Sequence, residues 1–96
     1  MIGDRYEGEF YEGKENGAGT MYFHNGDAFK GNFQFGIEHG DGEFTFSNGD
    51  HFLGKYEHGV RSGFGKYKYS NGNYYHGNYL NDARHGFGTL LPNFLF

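Results

Sequence analysis

Six histidines, a run of carboxylates and four G-x-G pairs are the residues here whose types could do chemistry. His24, His39, His51, His58, His76 and His85 are scattered, and no two stand four apart as a helical metal-ligating pair would. Zinc needs three or four converging ligands. His39, His58 and His85 fall where loops are expected, and His51 and His76 stand beside aromatic residues. No metal and no cofactor is expected. Glu7, Glu9, Glu12 and Glu15 could serve as paired acid and base, but that requires a pocket that drives their pKa values apart. A Gly-rich, polar chain offers little desolvation, so a solvated acidic face is expected instead. Ser occurs only at 47, 62 and 70 and Cys not at all, which leaves no nucleophile set. Gly17-Ala18-Gly19 and its copies resemble a phosphate loop only in part. Such a loop needs a helix N-terminus after it and, in the Walker form, a Lys with Ser or Thr. No catalytic residue is expected, and the chain reads as non-enzymatic.

Charge narrows the partners. Residues 1–48 carry three basic against nine acidic side chains, giving −6, and residues 49–96 five against three, giving +2. A nucleic-acid binder would show a basic stripe, so nucleic acid is not expected. Lys55, Arg61, Lys66 and Lys68 are the candidates for contact with anionic lipid headgroups, where each juxtamembrane cation contributes about 1 kcal/mol. No apolar run approaches the roughly 20 residues of a spanning helix, and no basic-then-apolar opening suggests a secretory leader. The absence of Cys suits a reducing compartment.

The elements that must position these residues repeat at a fixed period. Gly3, Gly26, Gly49 and Gly72 are 23 apart, as are the series from Gly8, Gly17 and Gly19, and the shorter series Gly13, Gly36 and Gly59. These five slots account for all nineteen glycines. The missing member is Asp82, preceded by Asn81, both residue types that tolerate positive φ. Within one unit, aromatic and β-branched residues flank Asn25-Gly26, the dipeptide of a two-residue type I′ hairpin turn. Asn48-Gly49 and Asn71-Gly72 repeat it. The links 11–17, 34–40, 57–63 and 80–86 read as loops between hairpins. No 3.6-residue apolar period appears. The expectation is an all-β, elongated, single-layer antiparallel sheet of stacked β-hairpins, one domain over 1–96 with units 3–25, 26–48, 49–71 and 72–94. Both ends fall in a turn slot, which reads as a fragment of a longer array or as capping ends, the fragment being the favoured expectation.

The Asn-Gly turn, taken as two residues, sets Tyr22 opposite Phe29, Thr20 opposite Gly31 and Ala18 opposite Phe33. It likewise sets Thr45 opposite Phe52, Lys68 opposite Tyr75 and Phe64 opposite Tyr79. One face then carries Tyr6, Phe10, Phe29, Phe33, Phe52, Tyr56, Tyr75 and Tyr79. The other carries Met21/Phe23, Phe44/Phe46 and Tyr67/Tyr69. A Gly lies between the two rings of each pair on the first face, leaving room for a ring to lie over the backbone. A single layer leaves apolar surface accessible, and contiguous exposed apolar surface marks binding sites.

Runs such as Tyr6-Glu7-Gly8-Glu9-Phe10, followed by Gly13, Gly17-Ala18-Gly19 and Asn25-Gly26-Asp27, resemble MORN repeats (membrane occupation and recognition nexus). The resemblance covers residues 3 to about 91 in four in-phase copies. It implies a twisted sheet of hairpins with a groove along one face. It also implies a non-catalytic module of cytoskeletal, ciliary (radial-spoke) or membrane-junction assemblies, or a repeat region beside an enzyme. Departures are Phe or Tyr where Trp is common, Asp82 in a Gly slot, and Pro92 at the position of Phe23, Phe46 and Tyr69. The expected partner is a protein segment, apolar or an amphipathic helix, lying on the eight-ring face named above. An anionic, phosphoinositide-containing membrane surface is the alternative. Pairing of sheet edges into a homodimer or longer array is also expected, in a cytoplasmic setting.

Overall fold

A computed structural model describes residues 3–92, with the Phe87 side chain left aside. The apolar run Phe94-Leu95-Phe96, which by its composition is expected to need a cover, lies outside the described residues. Eight strands form one open sheet: β1 (Arg5–Tyr11), β2 (Lys14–Tyr22), β3 (Ala28–Gln34), β4 (Ile37–Thr45), β5 (His51–Glu57), β6 (Val60–Lys68), β7 (Tyr74–Leu80) and β8 (Ala83–Leu91). They are antiparallel and lie in chain order. The body measures 45 × 27 × 19 Å. Each 23-residue period is thus one seven-residue and one nine-residue strand with two connections. No helix occurs among the described residues, so none is long and apolar enough to cross a membrane.

The two connections exchange the roles expected of them. The tight two-residue turns are Glu12-Gly13, Phe35-Gly36, His58-Gly59 and Asn81-Asp82. In each, both residues have positive φ, from 50 and 78 at the first to 49 and 72 at the last. That is the type I′ signature, matched to the right-handed twist of the strands it joins. Asn81-Asp82 fills the slot because Asn and Asp enter the left-handed region at low cost. The Asn-Gly pairs sit instead in five-residue connections (23–27, 46–50, 69–73). There only the Gly has positive φ, 98 at Gly26. The Gly26 N–H donates to Phe23 O at 3.1 Å, and the Phe23 N–H to Asp27 O at 2.9 Å.

An odd connection in place of an even one moves every pairing by one residue. Met21, not Tyr22, is opposite Phe29; Gly19 is opposite Gly31, and Gly17, not Ala18, is opposite Phe33. Phe44 is opposite Phe52, Tyr67 opposite Tyr75, and Gly63 opposite Tyr79. Such a slip carries a strand's side chains to the other face. The two aromatic sets expected on opposite faces therefore share one: Met21, Phe23, Phe44, Phe46, Tyr67 and Tyr69 all pack against the Phe29–Tyr79 cluster.

Glycine makes that one-faced core possible. Gly8, Gly19, Gly31, Gly42, Gly54, Gly65, Gly77 and Gly88 pair strand to strand in one line across the sheet. A ring lies over each successive pair: Tyr6 over Gly8/Gly19, Phe29 over Gly31/Gly42, Phe52 over Gly54/Gly65 and Tyr75 over Gly77/Gly88. A Cβ on Gly65 would stand 2.6 Å from the Phe52 ring. Beyond this line the nine-residue strands bulge, with Gly17, Gly40, Gly63 and Gly86 at φ 90, 77, 76 and 70.

Candidate functional site

The ring face is built by repetition. The ring before the Gly in one repeat meets, edge on, the ring after the Gly in the next. Tyr6 meets Phe33 at 5.1 Å, Phe29 meets Tyr56 at 4.9 Å and Phe52 meets Tyr79 at 5.0 Å between centroids. These are favourable edge-to-face pairs. The consequence corrects the expected docking surface. Phe29, Phe33, Phe52, Tyr56, Tyr75 and Tyr79 are 0–7% exposed and form the core. They offer a partner almost no surface. Tyr6 is half-buried, and Phe10, on the edge strand β1, is 60% exposed. Burial drives the Tyr56 hydroxyl well above the usual tyrosine range and raises that of Tyr79.

Accessible ring surface lies beside that core. Phe23, Phe44, Phe46, Tyr67 and Tyr69 are all half-buried. They form an unbroken row: Phe23 to Phe44 at 5.8 Å, Phe44 to Phe46 at 4.6 Å, Phe46 to Tyr67 at 5.6 Å and Tyr67 to Tyr69 at 4.9 Å. The Arg84 guanidinium ends the row, 5.6 Å from the Tyr69 ring and 4.1 Å from Tyr75. A hollow lined by Phe46, Arg61, Tyr67, Tyr69, Tyr79, Asp82 and Arg84 opens at this end. Sequence reasoning had set the row on the opposite face. The odd length of the Asn-Gly connection decides the matter, and the dipeptide alone does not reveal it.

The four cations proposed for lipid contact do not form one patch. Lys55 Nζ is 3.0 Å from Asp41. Arg61 lies on the ring face, over Phe52 and Tyr79 at 5.3 and 4.9 Å, with its Nε 2.7 Å from Asp82 Oδ1. Lys66 and Lys68 lie over Tyr74, at 5.1 and 5.7 Å. They share the opposite face with Leu53, Glu43 and His51. Two of the four are thus neutralised, and Arg61 is on the other face from Lys66 and Lys68.

Sequence reasoning missed an aspartate ladder. Asp4 Oδ1 accepts the His24 N–H at 3.1 Å, Asp27 Oδ1 the Ser47 N–H at 2.7 Å, and Asp50 Oδ1 the Ser70 N–H at 2.7 Å. Asp27 and Asp50 thereby tie one Asn-Gly connection to the next. The signal was present in the recurrent Asn-Gly-Asp at 25–27 and 48–50. Asp50, itself buried, also accepts the Tyr67 hydroxyl at 2.8 Å. Burial pushes its carboxyl up, but the bonds from Tyr67 and Ser70 outweigh it and hold the group below its usual value. Burial and the Asp50 bond push Tyr67 up to about 12. The histidines differ from their expected loops: His39 is in β4 and His85 in β8, while His58 is in a tight turn. Among the described residues no three His, Asp or Glu side chains converge as metal ligands.

Comparison with known proteins agrees with the repeat. The family model described as MORN repeat matches residues 6–28, 29–51, 52–74 and 75–93, four contiguous units. No curated protein matches the chain.

Proposed function

This chain belongs to the MORN-repeat family, and on that premise we propose that it works as a non-catalytic interaction module. The surface it uses is the half-buried row Phe23, Phe44, Phe46, Tyr67 and Tyr69, and the partner is an apolar protein segment laid along it. The observation that carries this reading is the continuity of the row: neighbouring ring centroids are never more than 5.8 Å apart. Aromatic rings that the core leaves half in water gain from a partner's apolar side chains. An extended segment on a sheet face would leave its own backbone groups unpaired, whereas a helix satisfies them internally. A helix is therefore the fitting occupant. The anionic-lipid reading has less support, because the candidate cations are divided between faces and partly neutralised.

The test is a displayed library of amphipathic peptides selected on the immobilised chain. The expected binders lose at least tenfold in affinity against Phe46→Ser and Tyr69→Ser, while Leu53→Ser on the opposite face leaves them unchanged. Circular dichroism melts of each variant keep unfolding separate from lost binding. Binders indifferent to the row, or binding only to anionic vesicles, would overturn the proposal.

A further inference from the structure

The ring face carries a charge gradient that would give a docked segment a direction. At one fixed position of the repeat stand Glu15, Glu38, Arg61 and Arg84. Each is the cross-strand neighbour of a ring of the core face: Phe10 for Glu15, Phe33 for Glu38, Tyr56 for Arg61 and Tyr79 for Arg84. Side chains directly opposite in an antiparallel pair stand on the same face, so all four belong to the ring face. Asp82 compensates Arg61. Glu15 and Glu38 have no cation within ion-pair distance among the described residues, and Arg84 has no acid there. At this position the face is therefore negative on β2 and β4, near neutral on β6 and positive on β8, and Asp50, bonded to Tyr67 of the row, adds a negative charge between β4 and β6.

Resting on the docking function proposed above, we infer that the occupant is an amphipathic helix with opposite polarity, basic at the end over Glu15 and Glu38 and acidic at the end over Arg84. Strands β2 and β8 are six places apart in the sheet. At about 4.8 Å per strand that is about 29 Å, the length of about 19 helical residues. The helix macrodipole favours the same alignment, with the N-terminal end toward the two glutamates and the C-terminal end toward Arg84. The aromatic row supplies non-directional attachment, and the charges select register and direction.

Three synthetic 19-residue helical peptides with one common apolar face test this. One carries Lys at its N-terminal end and Glu at its C-terminal end, one Lys at both ends, and one Glu at both. The mixed peptide is expected to bind about threefold to tenfold more tightly than either other at low salt. The advantage should shrink in 0.5 M salt. Arg84→Glu should transfer the preference to the peptide with Lys at both ends. Equal binding of all three, still abolished by Phe46→Ser, would overturn the polarity and leave the docking function standing. Failure of all three to bind would overturn both.

Discussion

At the scale of single residues, the molecule depends on places where a side chain is missing. The Phe52 ring is 1% exposed and lies over Gly54 and Gly65. A methyl group on Gly65 would meet that ring at 2.6 Å. The ring is enclosed by Tyr56 and Tyr79 at 5.8 and 5.0 Å and has little freedom to give way. Overpacking of this kind costs about 1–3 kcal/mol. Gly65→Ala is therefore expected to lower the urea midpoint by that equivalent. Gly13→Asn, where nothing lies within 4 Å and φ is 78, should cost under about 1 kcal/mol, because Asn tolerates that conformation. Equal effects at the two sites would contradict the ring-over-backbone account. The spacing of the glycines made this role legible in the sequence: a Gly between two aromatics, four times in phase, has no purpose in a conventional core.

At the scale of elements, adjoining repeats are joined by backbone pairing and by the aspartate ladder, and its buried member Asp50 titrates. Asp50 binds the Ser70 N–H and the Tyr67 hydroxyl in the folded state only, and its folded pKa lies below its ordinary value. Its contribution is thus present above the unfolded pKa of about 4 and is lost as pH falls through the folded value. Tyr67, raised to about 12, has the opposite sign: its contribution is complete below about 10 and is lost between about 10 and 12. Asp50→Asn is expected to be less stable at pH 7 and to lose less stability than the parent between pH 5 and pH 2.5. Parallel acid profiles by chemical denaturation would refute this. Strand existence and order were readable from the period, but the register was not. Two Gly-bearing connections alternate along the chain, and Asn-Gly is the stronger hairpin signal taken alone. The deciding residues were Asn81 and Asp82. Where Gly is replaced, two adjacent residues that both tolerate positive φ mark a type I′ turn, and that assigns the longer connection to Asn-Gly. The candidate surface moved with the register, because one residue of slip exchanges buried floor for accessible row.

At the scale of the whole molecule, stability is a sum over like units and their shared edges. Each strand is hydrogen-bonded only to its neighbours in sequence, and ring contacts reach one strand further, so the array is quasi-one-dimensional. The β2–β3 and β4–β5 edges have the same glycine, ring and aspartate positions. An in-phase excision therefore leaves edges that still fit. Removing residues 29–51 joins Ala28 to Phe52, brings β2 against the strand that was β5, and restores Met21 opposite Phe52 and Gly19 opposite Gly54. The six-stranded product is expected to fold, with the same far-ultraviolet spectrum per residue and a lower melting temperature. Removing 29–50 instead leaves one residue too many at the start of the strand that was β5, and the side-chain period of two sends its rings to the opposite face. That variant is expected to lose cooperative melting. If both excisions melted alike, the fold would not depend on the 23-residue phase. If only the in-phase one survived, the period itself would be the unit that the sequence encodes, and the charge gradient from Glu15 to Arg84 could be shortened one repeat at a time without touching the core.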